Sequence, residues 1–415
     1  MKFYLVGIKG SGMSSLANIL VDLGHEVRGM DYPKKCFTES TFRKSIIIDN
    51  LDNYLLDKNY YYIIGNVFKH TYIATKIKES GYQFKDYPEF IESFFTLPKI
   101  GISGSHGKTT TTKFIAQLLS KKKNVLIGDG SGYGEKDAKY LLLEACEYQN
   151  TFLNYSFEYL IILNIDYDHP DYFKNEKEYI NAFQKVSSKA RILIINNDDV
   201  NCKKITHNKK VTFGFSLGSD VRILEFKDKV ITLKYKGIKQ SFKVPFNGVH
   251  FAYDFTAALI ASIVAKTSYF ELKDRAKKIT FPIRRLNEYV LDKGLIVFDD
   301  YAHHPTEIHY AINSVKEKYP DKKIIAIFEP HTYSRTEQFL EDYIHELKSC
   351  DVVYIMSIFS SIREQEKDEK FPINNREKSF LIYDENVKKE LIKQENTVLL
   401  FMGAGDISNE ISYFL

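Results

Sequence analysis

Residues 99–120 read KIGISGSHGKTTTTKFIAQLLS, and their pattern indicates how the middle of the chain folds. The apolar run KIGIS predicts a buried strand, and the spacing of apolar residues in TTKFIAQLLS predicts a helix. The segment nearly fits the phosphate-binding signature G-x-x-x-x-G-K-[ST], but Ile102 stands where the first glycine belongs. A strand, a phosphate-binding loop and a helix are therefore predicted, with an ordinary glycine turn as the alternative.

The residues of the loop suit an anion. Gly104 and Gly107 let the backbone turn tightly, so that the N–H groups of the next helix can face a phosphate. Lys108 adds a positive charge, and Thr109 offers a hydroxyl group to Mg²⁺. A phosphate bound together with a divalent cation is the expected ligand.

The composition is that of a globular protein with little net charge. A length of 415 residues suggests about three domains, and a hydrophobic share of 44% is ample for buried cores. The net charge is only +4 and no basic arm is present, so nucleic acid is not an expected partner. No signal peptide or membrane span is predicted. The four cysteines form no C-x-x-C pair, and a cytoplasmic protein fits best.

Alternating strands and helices predict an α/β fold with three domains. FYLVGI and EVRGMD flank an amphipathic helix in a first domain, residues 1–97. YLLLEA, YLIILNI and ARILIINND are typical of strands buried on both faces, and they predict a mainly parallel sheet in residues 98–281. VTFGF, VRILEF, VITLKY and SFKVPF predict a small antiparallel addition to it. The alternation restarts at Gly294 in a third domain, residues 282–415.

Eight motifs distributed over essentially the whole chain resemble one known family. They are GIKGSGMS, GSHGKTTTT, EACEYQNTF, NIDYDHPDYF, RRLNE, DDYAHHPTEI, EPHTYSRT and GAGDI. In this order they resemble the Mur ligase family of cell-wall enzymes, in particular its alanine-adding branch. The resemblance implies Rossmann-like domains at both ends and a central ATPase domain of the P-loop type. It also implies that ATP activates the carboxylate of UDP-N-acetylmuramate as an acyl phosphate, which the amine of L-alanine attacks to form an amide.

By the same resemblance, the phosphate loop and a few residues outside it bind ATP. The expected ATP-binding residues are Gly104, Ser105, His106, Gly107, Lys108, Thr109, Thr110, His250, Asp254, Arg285 and Asp300. The expected catalytic residues are Lys108, Glu144, His169, Arg285 and Asp300. Arg284 is a weaker candidate beside Arg285.

The negative charge that would collect at this site fits two magnesium ions. Glu144 ends a buried apolar run, where a carboxylate is costly unless it meets a cation. His169 follows another predicted strand end, where open α/β sheets bind their ligands, although a structural histidine is the alternative. The resemblance assigns Thr109 and Glu144 to one Mg²⁺ and His169 to a second. Glu147 is either a further contributor or an exposed carboxylate.

The resemblance places L-alanine in the third domain. Tyr301 and His303 are expected to line its pocket, and Arg335 is expected to hold its carboxylate, for which a bidentate guanidinium is well suited. His331 is a second-ranked neighbour of Arg335. For His304, packing or helix capping is as good an explanation as a role in the amino-acid pocket.

The N-terminal GIKGSGMS is a glycine loop after a strand, which by itself is weak support for a dinucleotide-binding fold. In the Mur ligases the corresponding loop holds the diphosphate of the uridine nucleotide. The expected contacts are Gly7, Lys9, Gly10, Gly12, Met13, Ser14, Asp31 and Asn66.

One motif departs from the family pattern. The family usually shows G-x-H-N-x-x-N before a helix, with two amides at ATP, whereas GVHFAYD retains His250 but has Phe251 and Asp254 at the amide positions. Because a phenylalanine side chain forms no hydrogen bond, recognition of the adenine or ribose is expected to be weaker or replaced.

Three other functions remain open on the sequence. A recycling ligase that joins a preformed peptide to the same sugar nucleotide also carries the DDYAHHP pattern, but HTYSRT favours alanine. A nucleotide-sugar-binding regulatory protein without activity would fit Phe251 and Asp254, and a nicotinamide dehydrogenase would fit the first glycine loop. The loop with Lys108 and Thr109 argues against both. A monomer and a homodimer are equally compatible with the sequence.

Overall fold

The structure is a computed structural model, and it describes residues 1–34, 36–51, 54, 56–360 and 380–415. These residues form two units. Unit 1 contains residues 1–168 and 172–282, and unit 2 contains residues 169–171 and 283–415. In the described part of the chain, no helix combines the length and the apolar character needed to cross a membrane.

The described residues of the first region of unit 1 form a parallel sheet and three α-helices. Its elements are β1 (Lys2–Val6), α1 (Ser11–Asp22), β2 (Glu26–Asp31), β3 (Ile47–Asn50), β4 (Tyr61–Ile64), α2 (Tyr72–Glu79), β5 (Phe84–Asp86) and α3 (Tyr87–Phe94). The strands lie in the order β3-β2-β1-β4-β5, and all neighbours are parallel. α1 starts directly after the N-terminal glycine loop, so that loop meets the helix N-terminus.

The second region of unit 1 contains a nine-stranded sheet. Its elements are β6 (Lys99–Ser103), α4 (Lys108–Leu118), β7 (Lys123–Leu126), β8 (Tyr140–Glu144), β9 (Phe157–Ile162), α5 (Glu176–Ser187), β10 (Ala190–Asn196), β11 (Lys210–Gly214), β12 (Val221–Lys227), β13 (Val230–Tyr235), β14 (Ile238–Lys243), α6 (Val249–Val264) and α7 (Tyr269–Ala276). The strand order is β14-β13-β12-β11-β10-β9-β6-β8-β7.

The antiparallel part of this sheet is smaller than predicted. β12, β13 and β14 pair antiparallel, whereas the VTFGF strand β11 pairs parallel with β10 and with β12. The prediction was therefore wrong for VTFGF. Alternation of apolar and polar residues identifies a strand with one solvated face, but it carries no information about the direction of the neighbouring strand.

One apolar core joins the two regions of unit 1. It contains Phe3 and Leu16 from the first region and Leu141, Phe157 and Phe183 from the second. Polar contacts support the same junction, because the Ser15 hydroxyl donates to the Ile127 carbonyl at 2.6 Å and the Asn18 amide donates to the Gly130 carbonyl at 3.0 Å. The segment that follows β7 is therefore fixed against α1.

Unit 2 is a third α/β region, as predicted. Its elements are β15 (Asn287–Val290), β16 (Ile296–Asp300), α8 (Pro305–Lys318), β17 (Lys323–Phe328), α9 (Tyr333–Gln338), α10 (Leu340–Leu347), β18 (Val352–Ile355), β19 (Phe380–Ile382), α11 (Glu385–Leu391), β20 (Thr397–Met402) and α12 (Ile407–Ile411). The strand order is β15-β16-β20-β17-β18-β19, and among these described strands only β15 runs antiparallel to its neighbour. β16 ends at Asp300, which is predicted to bind ATP.

Substitution of Gly101 tests the packing at the centre of the nine-stranded sheet. A Cβ atom at this position would lie 2.3 Å from Cε1 of Phe157, which is closer than packed atoms approach each other. We expect Gly101→Ala to lower the free energy of unfolding by about 1–3 kcal/mol, measured from urea unfolding curves.

Two variants complete this test. Gly218→Ala is the control, because the nearest atom to its new Cβ would be 3.8 Å away. Gly101→Ala/Phe157→Leu should recover part of the loss, since the clashing ring is removed. Equal stability of Gly101→Ala and Gly218→Ala would contradict the proposed close packing.

Candidate active site

The phosphate loop connects β6 to α4, as the sequence predicted. Gly104 and Gly107 have φ angles of 136° and 81°, values that favour glycine. A Cβ on Gly104 would lie 3.2 Å from backbone atoms of Asn164, and one on Gly107 would lie 2.5 Å from Oδ1 of Asp254. Ile102, which departs from the signature, is buried inside β6. The chain therefore first turns at Gly104.

Hydrogen bonds from a neighbouring segment fix this loop. Oδ1 of Asn164 accepts from the His106 N–H at 2.8 Å, and its amide nitrogen donates to the His106 carbonyl at 3.1 Å. The Ser105 hydroxyl lies 2.9 Å from the Tyr179 hydroxyl, and Asp166 contacts the His106 ring at 2.9 Å. Sequence reasoning missed Asn164, Asp166 and Tyr179. The polar residues of NIDYD directly after β9 were the available signal.

Lys108 begins α4 and points its ammonium group back at the loop. Nζ donates to the carbonyl oxygens of Gly104 and Ser105 and lies 3.1 Å from Oε1 of Glu147. Burial acts to lower the pKa of Lys108, but the charge and hydrogen bond of Glu147, together with the nearby Cys146 and Glu144, outweigh burial, and the pKa is raised. Glu147 is 1% exposed, so its interpretation as an exposed carboxylate was wrong.

Thr109 and Glu144 come together beside the loop. The Thr109 hydroxyl donates to Oε2 of Glu144 at 3.1 Å, and the Gly128 N–H donates to Oε1. Burial raises the pKa of Glu144 to about 7, although the Gly128 N–H and the charge of Lys108 act in the opposite direction. A desolvated carboxylate next to a hydroxyl at a phosphate loop fits Mg²⁺, which prefers oxygen ligands.

His169 belongs to a short segment that groups with unit 2. Its φ angle is 58°, and its Nδ1 lies 3.5 Å from Nη2 of Arg335. The structure brings Thr109 and Glu144 together, whereas the role of His169 as the ligand of a second metal stays a prediction.

Asp254, predicted to contact ATP, is directed at the helix of the phosphate loop. Its Oδ1 accepts from the Thr111 hydroxyl at 3.1 Å. Phe251 is buried among aromatic rings and lies 4.6 Å from Phe281 between ring centroids. The ring centroid of His250 lies 3.8 Å from that of Phe251, and the two rings are tilted by 46°. The two departures from the family motif, Phe251 and Asp254, are therefore both buried inside unit 1.

The N-terminal glycine loop occupies the turn between β1 and α1. Gly7 has a φ angle of 84°, and a Cβ there would lie 2.5 Å from the Phe68 ring. A Cβ on Gly12 would lie 2.8 Å from the Tyr87 hydroxyl. The predicted residues of the turn and of the first helical turn are Gly7, Gly10, Gly12, Met13 and Ser14. The loop is shaped as a glycine turn at a helix N-terminus.

The other residues predicted for this site, Lys9, Asp31 and Asn66, make polar contacts within unit 1. The Lys9 N–H donates to Asp31 at 2.7 Å, and the Lys9 ammonium pairs with Glu39 at 2.9 Å. Burial raises the pKa of Asp31, opposed by the hydrogen bond from the Lys9 N–H. The Asn66 amide donates to the Thr151 hydroxyl at 3.1 Å, across the two regions of unit 1.

Asp300 ends β16 in unit 2 and is buried. It accepts from the Leu286 N–H at 2.7 Å and from the Ala302 N–H at 2.8 Å. Burial raises its pKa to about 6, while the charge of Arg285 acts to lower it. Asp300 therefore holds the backbone that carries Arg285 and lies within the electrostatic influence of this arginine.

The two arginines of RRLNE have different environments. Arg284 is fully buried, pairs with Asp299 at 3.2 Å and donates to the Gly403 carbonyl at 2.6 Å, which makes it part of the framework of unit 2. Arg285 is half-buried and lies 3.5 Å from Glu307. Of the two, Arg285 has the position that suits ligand binding.

Arg335, His331, His303 and Tyr301 form one cluster in unit 2. Nη1 of Arg335 lies 3.1 Å from Nδ1 of His331, whose ring centroid is 5.5 Å from that of His303. The rings of His303 and Tyr301 are 5.4 Å apart. Glu307, which sequence reasoning missed, contacts Nδ1 of His303 at 3.2 Å. His304 caps α8, which confirms the capping alternative.

The two units thus carry different groups of the functional residues that the motifs predicted. Unit 1 presents a loop with a lysine, a hydroxyl group and a buried carboxylate, which suits a nucleotide triphosphate with a divalent cation. Unit 2 presents a guanidinium and an imidazole, which can hold a carboxylate and accept a proton.

Comparison with known proteins agrees with this arrangement. Three families match successive parts of the chain: "Mur ligase family, catalytic domain" over residues 2–96, "Mur ligase middle domain" over residues 102–262 and "Mur ligase, glutamate ligase domain" over residues 284–405. The matches leave out residues 97–101 and 263–283, and the second of these gaps contains α7.

Individual relatives extend over the same length. The UDP-N-acetylmuramate--L-alanine ligase of Lactobacillus acidophilus is 35% identical over 424 residues, which cover 98% of this chain and 96% of the relative. The crystal structure of the UDP-N-acetylmuramate-alanine ligase of Thermotoga maritima has a TM-score of 0.81 at 22% identity and covers 100% of this chain and 98% of that chain. The MurF ligase of Thermotoga maritima, solved in complex with ADP, has a TM-score of 0.60 at 16% identity and covers 94% of this chain and 88% of that chain. The chain therefore belongs to the Mur ligase family.

Proposed function

We propose that the protein is an ATP-dependent ligase that joins the carboxylate of UDP-N-acetylmuramate to the amine of L-alanine. The reaction passes through an acyl phosphate, releases ADP and phosphate, and supplies a precursor of peptidoglycan. The observation that carries the proposal is the phosphate loop, at which Lys108 and the joined pair Thr109 and Glu144 converge.

Support for the substrates comes from different sources. The relative from Lactobacillus acidophilus is named for UDP-N-acetylmuramate and L-alanine and matches nearly the full chain. ADP in the structure of the Thermotoga maritima MurF ligase supports ATP as the nucleotide. We place the sugar nucleotide at the N-terminal glycine loop, because its backbone N–H groups lie at the start of α1.

Unit 1 would bind and orient the triphosphate. Lys108 and the N–H groups at the start of α4 would stabilise the charge that develops on the transferring phosphoryl group. Thr109 and Glu144 would hold Mg²⁺, which neutralises phosphate charge when bound. Without this neutralisation, a carboxylate of the sugar nucleotide would be repelled from the phosphate that it must attack.

Unit 2 would bind and orient the amino acid. We assign the carboxylate of L-alanine to Arg335, because a guanidinium binds carboxylates with two hydrogen bonds and stays protonated. His303 is suited to accept the proton that the attacking amine releases. Its contact with Glu307 at 3.2 Å would stabilise the resulting imidazolium. Arg285 and Asp300 complete the proposed nucleotide site.

The reaction is proposed to take place in the cytoplasm. The four cysteines, all of which lie among the described residues, form no disulfide, and this fits the reducing cytoplasm in which ATP is available.

An end-point assay of phosphate tests the proposal. Phosphate should be released only when ATP, UDP-N-acetylmuramate and L-alanine are all present, and glycine and L-serine would measure the selectivity for alanine. Release with a preformed peptide but not with L-alanine would instead support the recycling ligase. No release with any acceptor, together with binding of the sugar nucleotide, would support a regulatory protein.

Removal of the Lys108 ammonium should abolish most of the activity. We expect Lys108→Ala to lower kcat by about a hundredfold or more, because one preorganised charge at the transferring phosphoryl group contributes that much. The control is Lys113→Ala, five residues further along α4, which should keep normal turnover. Unchanged turnover of Lys108→Ala at saturating ATP would rule out the proposed role of the loop.

Replacement of the Arg335 guanidinium, which can form two hydrogen bonds with a carboxylate, by the single charge of a lysine should weaken the binding of L-alanine selectively. Loss of one charge-assisted hydrogen bond of about 1.5 kcal/mol corresponds to about a tenfold rise in the KM for L-alanine. We therefore expect Arg335→Lys to raise this KM by about tenfold, with much smaller changes for ATP and the sugar nucleotide. Initial rates with each substrate varied in turn provide the measurement.

The control for this substitution is Arg191→Lys, which alters an exposed ion pair with Glu158. Its three KM values should equal those of the wild type. If Arg335→Lys raised all three KM values equally, Arg335 would support the fold of unit 2 and not the amino-acid site.

A further inference from the structure

Lys108 directs its ammonium group at three acceptors of its own unit. They are the carbonyl oxygens of Gly104 and Ser105 and the carboxylate of Glu147, whose Oε1 lies 3.1 Å from Nζ. An ammonium group has three hydrogens and no lone pair. All three are therefore engaged in this arrangement, and a phosphate oxygen can be bound only if one present contact is given up.

The contact with Glu147 is well shielded from water. The side chain of Glu147 is 1% exposed and that of Lys108 is 16% exposed. An ion pair in such surroundings is screened weakly, so that each charge strongly favours the presence of the other. Glu147 is thus a strong competitor for the lysine that the proposed reaction uses.

The three contacts of Lys108 differ in how their loss would affect the phosphate loop. The carbonyl groups of Gly104 and Ser105 are neutral and belong to the phosphate loop itself. Glu147 lies outside that loop, between β8 and the 3₁₀ helix Tyr148–Asn154. It is also the only acceptor of the three with the same charge as a phosphate. Exchange of Glu147 for a phosphate oxygen therefore replaces one anion by another and leaves the loop intact.

We infer that Glu147 is a positioning residue that competes with the nucleotide phosphates for Lys108. Glu147 holds the Lys108 ammonium group through their ion pair and releases it when the phosphates bind. Because this ion pair must be broken first, Glu147 weakens the affinity for the nucleotide. The inference rests on the proposed function, because it requires that this loop bind ATP.

Calorimetric titration of the full-length protein with Mg-ADP tests the inference. Glu147→Gln keeps the shape of the side chain and removes its charge, so that Lys108 is more often available to a phosphate. We expect the Kd for Mg-ADP to fall by about threefold to tenfold, because the fraction of protein molecules whose Lys108 is available to a phosphate should rise by the same factor. A residue with only a structural role would leave the Kd unchanged or raise it when substituted.

A second variant keeps the test decisive if Glu147→Gln does not fold. Glu147→Asp retains the buried charge that balances Lys108 but shortens the side chain by one methylene group, which lengthens the contact. It should also tighten the binding of Mg-ADP, by a smaller factor than Glu147→Gln. Circular dichroism verifies that each variant is folded before titration.

Glu92→Gln is the matched control. Glu92 pairs at 3.0 Å with Lys99, another buried lysine of unit 1, and neither residue belongs to the phosphate loop. Its Kd for Mg-ADP should equal that of the wild type. Equal tightening in Glu92→Gln, or unchanged or weaker binding in the folded Glu147 variants, would overturn the inference. A wild-type protein that binds no Mg-ADP would overturn the proposed function as well.

Discussion

The backbone can pass from β6 into α4 only because Gly104 and Gly107 adopt positive φ angles, and the polar contacts at the phosphate loop depend on that path. The turn brings His106 to Asn164, which binds its N–H and its carbonyl group. It also starts α4 at Lys108, so that Thr109 in the first turn meets Glu144 at the end of β8. A Cβ on Gly107 would collide with Asp254 at 2.5 Å, and one on Gly104 would make tight contacts of 3.2 Å with Asn164.

Buried carboxylates are the second common feature of the proposed sites. Burial raises the pKa of Glu144 to about 7 and that of Asp300 to about 6, since a low-dielectric environment disfavours the charged form. Glu147 is more deeply buried than Glu144 and has a lysine beside it. A cation next to each of these groups would lower the free energy of its ionised form. Positive charge is therefore supplied at Glu147 by the chain itself, whereas at Glu144 the geometry suits an added divalent ion.

Most of the fold and part of the site could be predicted from the sequence. Apolar runs identified the central strands, and glycines next to Lys108 and Thr109 located the loop, because both are local patterns. The direction of VTFGF could not be predicted, since alternation does not encode strand direction. The contacts of Asn164 with His106 and of Asp254 with Thr111 join segments far apart in the chain, and only the folded backbone brings them together. For the same reason Glu307 and the pairing of Glu147 with Lys108 were not predicted.

In the proposed reaction, the γ-phosphoryl group of ATP bound at the phosphate loop is transferred to the carboxylate of the sugar nucleotide. Isotope transfer measures this step directly. UDP-N-acetylmuramate labelled with ¹⁸O in its carboxylate is incubated with ATP and L-alanine, and the released phosphate is analysed by mass spectrometry. An acyl phosphate intermediate predicts one ¹⁸O atom in each phosphate, because the bridging oxygen leaves with the phosphoryl group. Unlabelled phosphate, or AMP that carries the label, would contradict the account.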